Sequence, residues 1–161
     1  MSTHALIVIS HDDAVTLRMN KRRRGGVPSY NYVTIYVHFD GYPQGLGNDL
    51  AEHLTGYRLT HGVSGDAGKT ANGMDCLAAQ IVGNLKDMVG NVYLSLDHDS
   101  FDDTPVDYLY FISPNEDGNR VDIRVEHKAG KTKTLLFDGP LDDFHRTITG
   151  PLGIAALWEM V

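Results

Sequence analysis

Between residues 30 and 56 the sequence encodes a β-strand, a tight turn and a short helix in immediate succession. The strand alternates apolar side chains with aromatic or hydrogen-bonding ones from Tyr32 to Phe39. Strand side chains point alternately to two faces, so one face should join a core and the other should carry His38. The residues at 40–43, Asp-Gly-Tyr-Pro, favour a tight turn. We therefore expect the rest of the chain to be organised around this unit.

Two glycines and a leucine repeat define the second half of the unit. Gly45 and Gly47 permit the backbone to approach another group closely. Leucine recurs every four residues, as is typical of a helix with one buried face, and Gly56 suits its C-terminal cap. The repeating leucines are Leu46, Leu50 and Leu54.

The remaining periodicity predicts an α+β fold in a single domain over residues 1–161. We expect an antiparallel sheet of about six to seven strands, with one long helix and two short helices packed on one face. A hairpin should join the first two strands, and residues 57–70 should form a loop. Besides the strand at 30–39, strands are predicted at 5–10, 14–19, 92–97, 107–113, 120–127 and 132–138. The long helix is predicted at 72–89, and short helices at 46–54 and 151–160. A short helical turn is expected through Phe144.

Composition restricts the class of protein. A hydrophobic fraction of 42% is ordinary for a soluble domain, and no apolar run reaches the roughly 20 residues of a membrane helix. The N-terminal residues lack the basic start of a signal peptide. Cys76 is the only cysteine, which argues against a disulfide framework or a thiolate metal site. We expect a cytoplasmic protein that needs no cofactor and does not bind a membrane.

The net charge of −7 lies entirely in the second half of the chain. Residues 81–161 contain seven Lys and Arg against fourteen Asp and Glu, whereas residues 1–80 are balanced. Because phosphate binding needs a basic surface, nucleic acid is not expected as a direct partner. The acidic half is instead compatible with a partner protein that has a basic surface.

The strongest acidic feature is the segment 97–107, which contains five aspartates and no basic residue apart from a histidine. It lacks the glycine and glutamate positions of a calcium-binding loop. Two interpretations remain open: a solvated, self-repelling loop, or an acidic docking surface that two later aspartates extend. The aspartates concerned are Asp97, Asp99, Asp102, Asp103, Asp107, Asp142 and Asp143.

A second candidate site is the turn that follows the first aromatic strand. His38 and Asp40 are two residues apart, and His53 on the following helix could approach them to hold a ligand or a metal. The alternative is structural: His38 bonds a backbone carbonyl, and Asp40 organises the turn or caps the helix. The residues of this candidate ligand site are His38, Asp40, Tyr42, Gly45, Gly47 and His53.

Two further segments are weaker candidates for binding phosphate. Residues 64–70 resemble a phosphate-binding loop, but Val63 occupies the position of its first glycine and no buried parallel strand is predicted before it. Residues 21–24 are consecutive Lys and Arg, which suit either a phosphate contact or a solvated hairpin tip. No signature of a hydrolase or metalloprotease is present.

The segment Tyr36–Gly47 contains H-x-D-G-Y-P-x-G-x-G, and the chain opens with Met-Ser-Thr. In both respects it resembles a group of small phage and prophage proteins, a group with no assigned reaction. The resemblance implies a phage accessory gene whose product acts in the bacterial cytoplasm.

Three functions are compatible with these features. The first is a non-enzymatic phage protein that binds and inhibits a host complex through an acidic surface, for example a nucleic-acid-handling defence complex such as a CRISPR effector. The second is a small-ligand or metal-binding protein, or a hydrolase, with its site at the turn of residues 38–42. The third is an assembly role through an exposed sheet edge.

Overall fold

The computed structural model describes residues 2–11, 31–62, 68–95, 101 and 103–159. Its main feature is a six-stranded sheet in the order β5-β2-β1-β6-β7-β8. The α+β prediction is confirmed. The strands are β1 (Ala5–Ser10), β2 (Asn31–Val37), β5 (Val92–Ser95), β6 (Tyr108–Pro114), β7 (Val121–Ala129) and β8 (Thr132–Pro140).

The expectation of a wholly antiparallel sheet is wrong at one pair, because β1 and β6 are parallel. A hairpin from β1 was predicted, but its second strand at 14–19 lies outside the described residues. In the structure β1 pairs with β2 on one side and β6 on the other. Every residue of β1 is buried, as expected for a central strand that is covered on both faces.

The described helices pack on one face of this sheet. A single π-helical turn (Pro43–Gly47) leads directly into α1 (Asn48–Leu54), and α2 follows later in the chain (Gly73–Leu85). After β8 come α3 (Leu141–Thr149) and α4 (Ala155–Glu159). The buried helical side chains join the apolar side chains of one sheet face in the main core.

The long predicted helix exists, but it ends at Leu85 rather than at residue 89. Lys86 has an extended backbone, and its Nζ donates to the carbonyls of Gly90 and Val92 at 3.0 and 2.8 Å. Gly90 has a φ of 89°, which turns the chain into β5. Met88 and Val89, which the prediction places within the helix, therefore lie beyond its end and are exposed.

The predicted loop at 57–70 contains structure as well. Within it lies β3 (Arg58–Thr60), which pairs in parallel with β4 (Thr70–Asn72) to form a separate two-stranded sheet. Both strands are only three residues long, too short for an alternation of apolar and polar side chains to be recognised.

A smaller cluster covers the opposite face of the main sheet. Leu6, Val8 and Leu109 from the sheet pack there with Phe101 and Val106.

None of the helices among the described residues is long and apolar enough to cross a membrane.

Candidate functional site

The glycine-bearing turn packs against the central strand. The Gly41 amide donates to the carbonyl of Thr3 at 2.9 Å, and its carbonyl accepts from the buried Tyr110 hydroxyl at 2.9 Å. A Cβ on Gly41 would lie 2.8 Å from the Cβ of Ala5 and 2.9 Å from its nitrogen. The backbone of the turn therefore approaches β1 closely at Gly41.

The other two glycines also serve internal packing. A Cβ on Gly45 would lie 2.5 Å from the carbonyl oxygen of Asp40, and one on Gly47 would lie 3.3 Å from the Phe144 ring. Asp40 has a left-handed backbone with a φ of 57°, and its carbonyl accepts from the Leu46 amide at 2.9 Å. The carbonyl of Tyr42 accepts from the Gly45 amide at 3.0 Å. Asp40 therefore organises the turn, as the structural interpretation expects.

His38 lies on the sheet face opposite the helices. Its Nδ1 is 3.0 Å from the Tyr36 hydroxyl, and its ring stacks on that of His4 with centroids 4.7 Å apart. The described partner of the His38 side chain is thus a tyrosine hydroxyl rather than a backbone carbonyl. Since Val37 lies on the opposite, helix-covered face, the structure does not bring His38 to His53.

Asp40 and His53, by contrast, do border one groove. It has a volume of about 520 Å³ and lies between α1, the C-terminal end of α2, the C-terminal end of β2 and the N-terminal end of β5. Its carboxylates come from Asp40, Asp49, Glu52 and Asp87, and we call the space they border the acidic groove. None of the described residues that line it is Lys or Arg.

Asp49 lies among like charges in the acidic groove. Partial burial, and then the neighbouring carboxylates of Glu52 and Asp40, raise the pKa of Asp49. Burial, and then the nearby Lys69, lower the pKa of His53. The Nε2 atom of His53 is buried and has no hydrogen-bond partner among the described residues. A positively charged group in the groove would offset the repulsion between the carboxylates.

Besides His53, Asn84 and Asn91, the rest of the lining consists of apolar side chains. Val37, Leu46, Leu85 and Val92 line its inner surface, while Phe39 and Met88 are exposed at its edge. The Phe39 amide donates to Oδ1 of Asn91 at 2.8 Å, which joins the end of β2 to the turn before β5. The acidic groove therefore combines negative charge with apolar surface.

The acidic segment 97–107, which was predicted as a possible docking surface, is described only in part. Asp97, Asp99 and Asp102 lie outside the described residues. Asp103 is 3.8 Å from Nζ of the exposed Lys131. Asp107 accepts from the His4 amide at 2.8 Å, so it helps to hold β1 beside β6.

The two later aspartates are far from Asp107. Asp142 accepts from the Gly56 amide at 3.0 Å, and Asp143 pairs with Arg146. They follow β8, whose last residue pairs with Asp122, whereas Asp107 adjoins the β7 residue Lys128. Six residues of a strand span roughly 20 Å. The structure therefore does not gather Asp107, Asp142 and Asp143 into one surface.

Sequence reasoning missed Asp49, Glu52 and Asp87 as site residues. Asp49 and Glu52 are three residues apart on the polar side of a predicted helix, and this spacing could have indicated that their carboxylates lie side by side. Asp87 was not predictable, because its position depends on the early end of α2.

The two weaker candidate segments are described only in part. In the segment 64–70, which resembles a phosphate-binding loop, Nζ of Lys69 donates to the carbonyls of Glu52 and Thr55, both at 2.9 Å. The basic residues 21–24 lie outside the described part of the chain.

Among the described residues, no three His, Cys, Asp or Glu side chains are grouped so that they could hold a metal ion. No protein-family model, curated protein or solved structure matches the chain.

Proposed function

We propose that this chain is a non-enzymatic binding protein that inhibits a host protein by engaging its basic surface. The observation that carries the proposal is the acidic groove, whose described lining includes four carboxylates and no Lys or Arg. The proposed acidic surface is therefore the groove rather than the segment 97–107. The sequence motif at 36–47 resembles one found in small phage and prophage proteins, and this resemblance supports a phage accessory role in the bacterial cytoplasm.

The electrostatics of the groove support a cationic partner. Carboxylates that repel each other in the free protein gain when a Lys or Arg side chain is placed among them. An acidic surface can also occupy a site that normally holds nucleic acid, because both present closely spaced negative charges. A nucleic-acid-handling defence complex such as a CRISPR effector is a target of this kind.

Affinity capture from a bacterial lysate tests the proposal. The wild-type chain should retain a stoichiometric partner at low salt and release it at high salt. The double variant Asp49→Asn/Glu52→Gln should retain at least tenfold less of that partner. The control variant Glu116→Gln/Asp117→Asn makes the same charge change in the exposed turn between β6 and β7 and should behave as wild type. Equal retention by all three proteins would contradict the proposal.

The second candidate is a small-ligand or metal-binding protein, or a hydrolase, with its site beside Asp40. The unpartnered Nε2 of His53 favours it, because a neutral imidazole nitrogen is a common ligand for cations. Under this alternative, a panel of divalent metals and small amines should contain a compound that raises the melting temperature of the wild type. His53→Gln should abolish the rise, whereas the exposed His61→Gln should not.

A further inference from the structure

Exposed apolar side chains are concentrated beside the acidic groove. Phe39 and Met88 line it with exposed fractions of 49% and 63%, and Val89, next to Met88, is 100% exposed. Leu94 is 68% exposed and lies two residues after Val92, so it shares the groove side of β5. We call Phe39, Met88, Val89 and Leu94 the apolar rim.

The apolar rim is a consequence of how the chain is folded there. The helix stripe that buries Met74, Leu77 and Ile81 stops when α2 ends at Leu85. Residues 86–91 then run back to the sheet edge, held by Lys86. Among the described residues β5 is an edge strand of the main sheet, and its Leu94 side chain is left exposed. Clustered apolar side chains at a surface commonly mark a protein-binding site.

We infer that the acidic groove and the apolar rim form one docking site for a protein segment that carries a bulky apolar side chain beside Lys or Arg residues. This inference rests on the proposed function and names the chemistry of the partner. The apolar side chain would cover Met88 and Val89, and the basic side chains would enter the groove between Asp87 and Asp49.

Charge decides among the occupants of such a site. The chain has a net charge of −7, so long-range repulsion opposes the approach of a second copy to an already negative groove. A purely basic ligand would satisfy the carboxylates but leave the rim in water. An apolar segment without charge would leave the repulsion between Asp49, Glu52 and Asp40 in place. A basic and apolar segment satisfies both parts of the site.

The test uses three synthetic peptides of equal length and measures their dissociation constants for the wild-type chain at low salt. The first contains one Phe or Leu flanked by Lys and Arg, the second replaces the apolar residue with Ser, and the third replaces the basic residues with Gln. We expect the first peptide to bind at least tenfold more tightly than either of the others. Equal binding by the first two peptides would overturn the inference, because the rim would then contribute nothing.

Two protein variants separate this inference from the proposed function. Met88→Ser/Val89→Ser should weaken binding of the first peptide about tenfold and leave binding of the second unchanged. Asp49→Asn/Glu52→Gln should weaken binding of both. Leu152→Ser, at an exposed site between α3 and α4, is the control and should have no effect. If only the groove variant weakens binding, the proposed function stands and the inference fails; if neither does, both fail.

Sedimentation of the free chain provides an independent check. The inference expects a wild-type monomer across the concentration range of the binding experiment. A dimer that Met88→Ser/Val89→Ser converts to a monomer would overturn the inference, because the apolar rim would then be covered by a second copy.

Discussion

Asp49 lies in the first turn of α1 with Glu52 one turn further along the helix. Partial burial and the carboxylates of Glu52 and Asp40 raise its pKa. Any stability that comes from a raised carboxyl pKa is fully present below the unfolded value of 3.8 and is lost as pH rises through the folded pKa. At neutral pH the ionised Asp49 therefore lowers the free energy of unfolding.

We predict that Asp49→Asn stabilises the free chain at pH 7 by about 0.2–0.5 kcal/mol, the size of a like-charge pair on one helix face. The attraction of a helix N-terminus for Asp49 is a smaller effect here, because the π-helical turn precedes α1 without a break. Urea unfolding at pH 7 and at pH 3 measures the change, which should be smaller at pH 3.

Asp75 provides the matched control for this prediction. It lies in the first turn of α2, where its Oδ1 accepts from the Cys76 amide at 2.8 Å. Asp75→Asn makes the same chemical change but should lower stability at pH 7, since it removes a charge from a true helix start. Destabilisation by Asp49→Asn would show that the groove carboxylates do not repel one another measurably.

Single residues also mark what the sequence could and could not predict. The alternation of β2 correctly placed Val37 in the core and His38 on the other face. It did not indicate the partner of His38, because the Tyr36 hydroxyl and the His4 ring meet it only after β1 and β2 have paired. The glycines of the turn were recognised, but the groups that approach them were not.

At the level of elements, the turn at Gly41 is fixed by its contact with β1. A Cβ there would meet Ala5 at 2.8 Å, and Ala5 belongs to the buried central strand, which has little room to move. We predict that Gly41→Ala lowers the free energy of unfolding by about 1–3 kcal/mol, the usual effect of overpacking a core. Equilibrium unfolding in urea measures the loss.

Gly83 is the control for the same substitution. It lies within α2, and a Cβ there would have no atom within 4 Å. Because alanine favours a helix more than glycine does, Gly83→Ala should raise stability by up to about 1 kcal/mol. An equal effect of the two substitutions would mean that the close contact of Gly41 with β1 does not constrain the fold.

Elements with a clear period were predicted well, and those without one were not. β1 was placed at 5–10, as the structure has it, and the meander from β6 to β8 differs from its prediction only at the ends. The end of α2 was missed because Met88 and Val89 continue the apolar period beyond Leu85. The parallel pairing of β1 with β6 depends on contacts between residues about a hundred positions apart, which a local pattern does not reveal.

At the scale of the whole molecule, the acidic groove combines four stretches of chain. These are the end of β2, the π-helical turn with α1, the end of α2 and the start of β5. Each stretch contributes one or two carboxylates or a few apolar side chains, too few to form a motif. The sequence instead drew attention to the aspartates of 97–107, because they are close together along the chain.

Lys86 joins two of these stretches. Its Nζ donates to the carbonyls of Gly90 and Val92 and lies 5.4 Å from the centre of the Tyr93 ring. It thereby holds the wall that carries Asp87 and Met88 against β5. Lys86→Met keeps an aliphatic side chain but removes the donor, and we predict a loss of about 1 kcal/mol in the free energy of unfolding.

The effect of Lys86→Met on binding distinguishes geometry from charge. The variant is more negative than the wild type, so long-range electrostatics alone would tighten binding of a basic peptide. If the position of the wall matters more, binding should instead weaken several-fold, and we expect this outcome. Lys131→Met makes the same charge change at an exposed residue near Asp103 and should leave stability unchanged and binding equal or slightly tighter. Equal tightening by both variants would show that the groove acts through its charge alone and that Lys86 does not shape it.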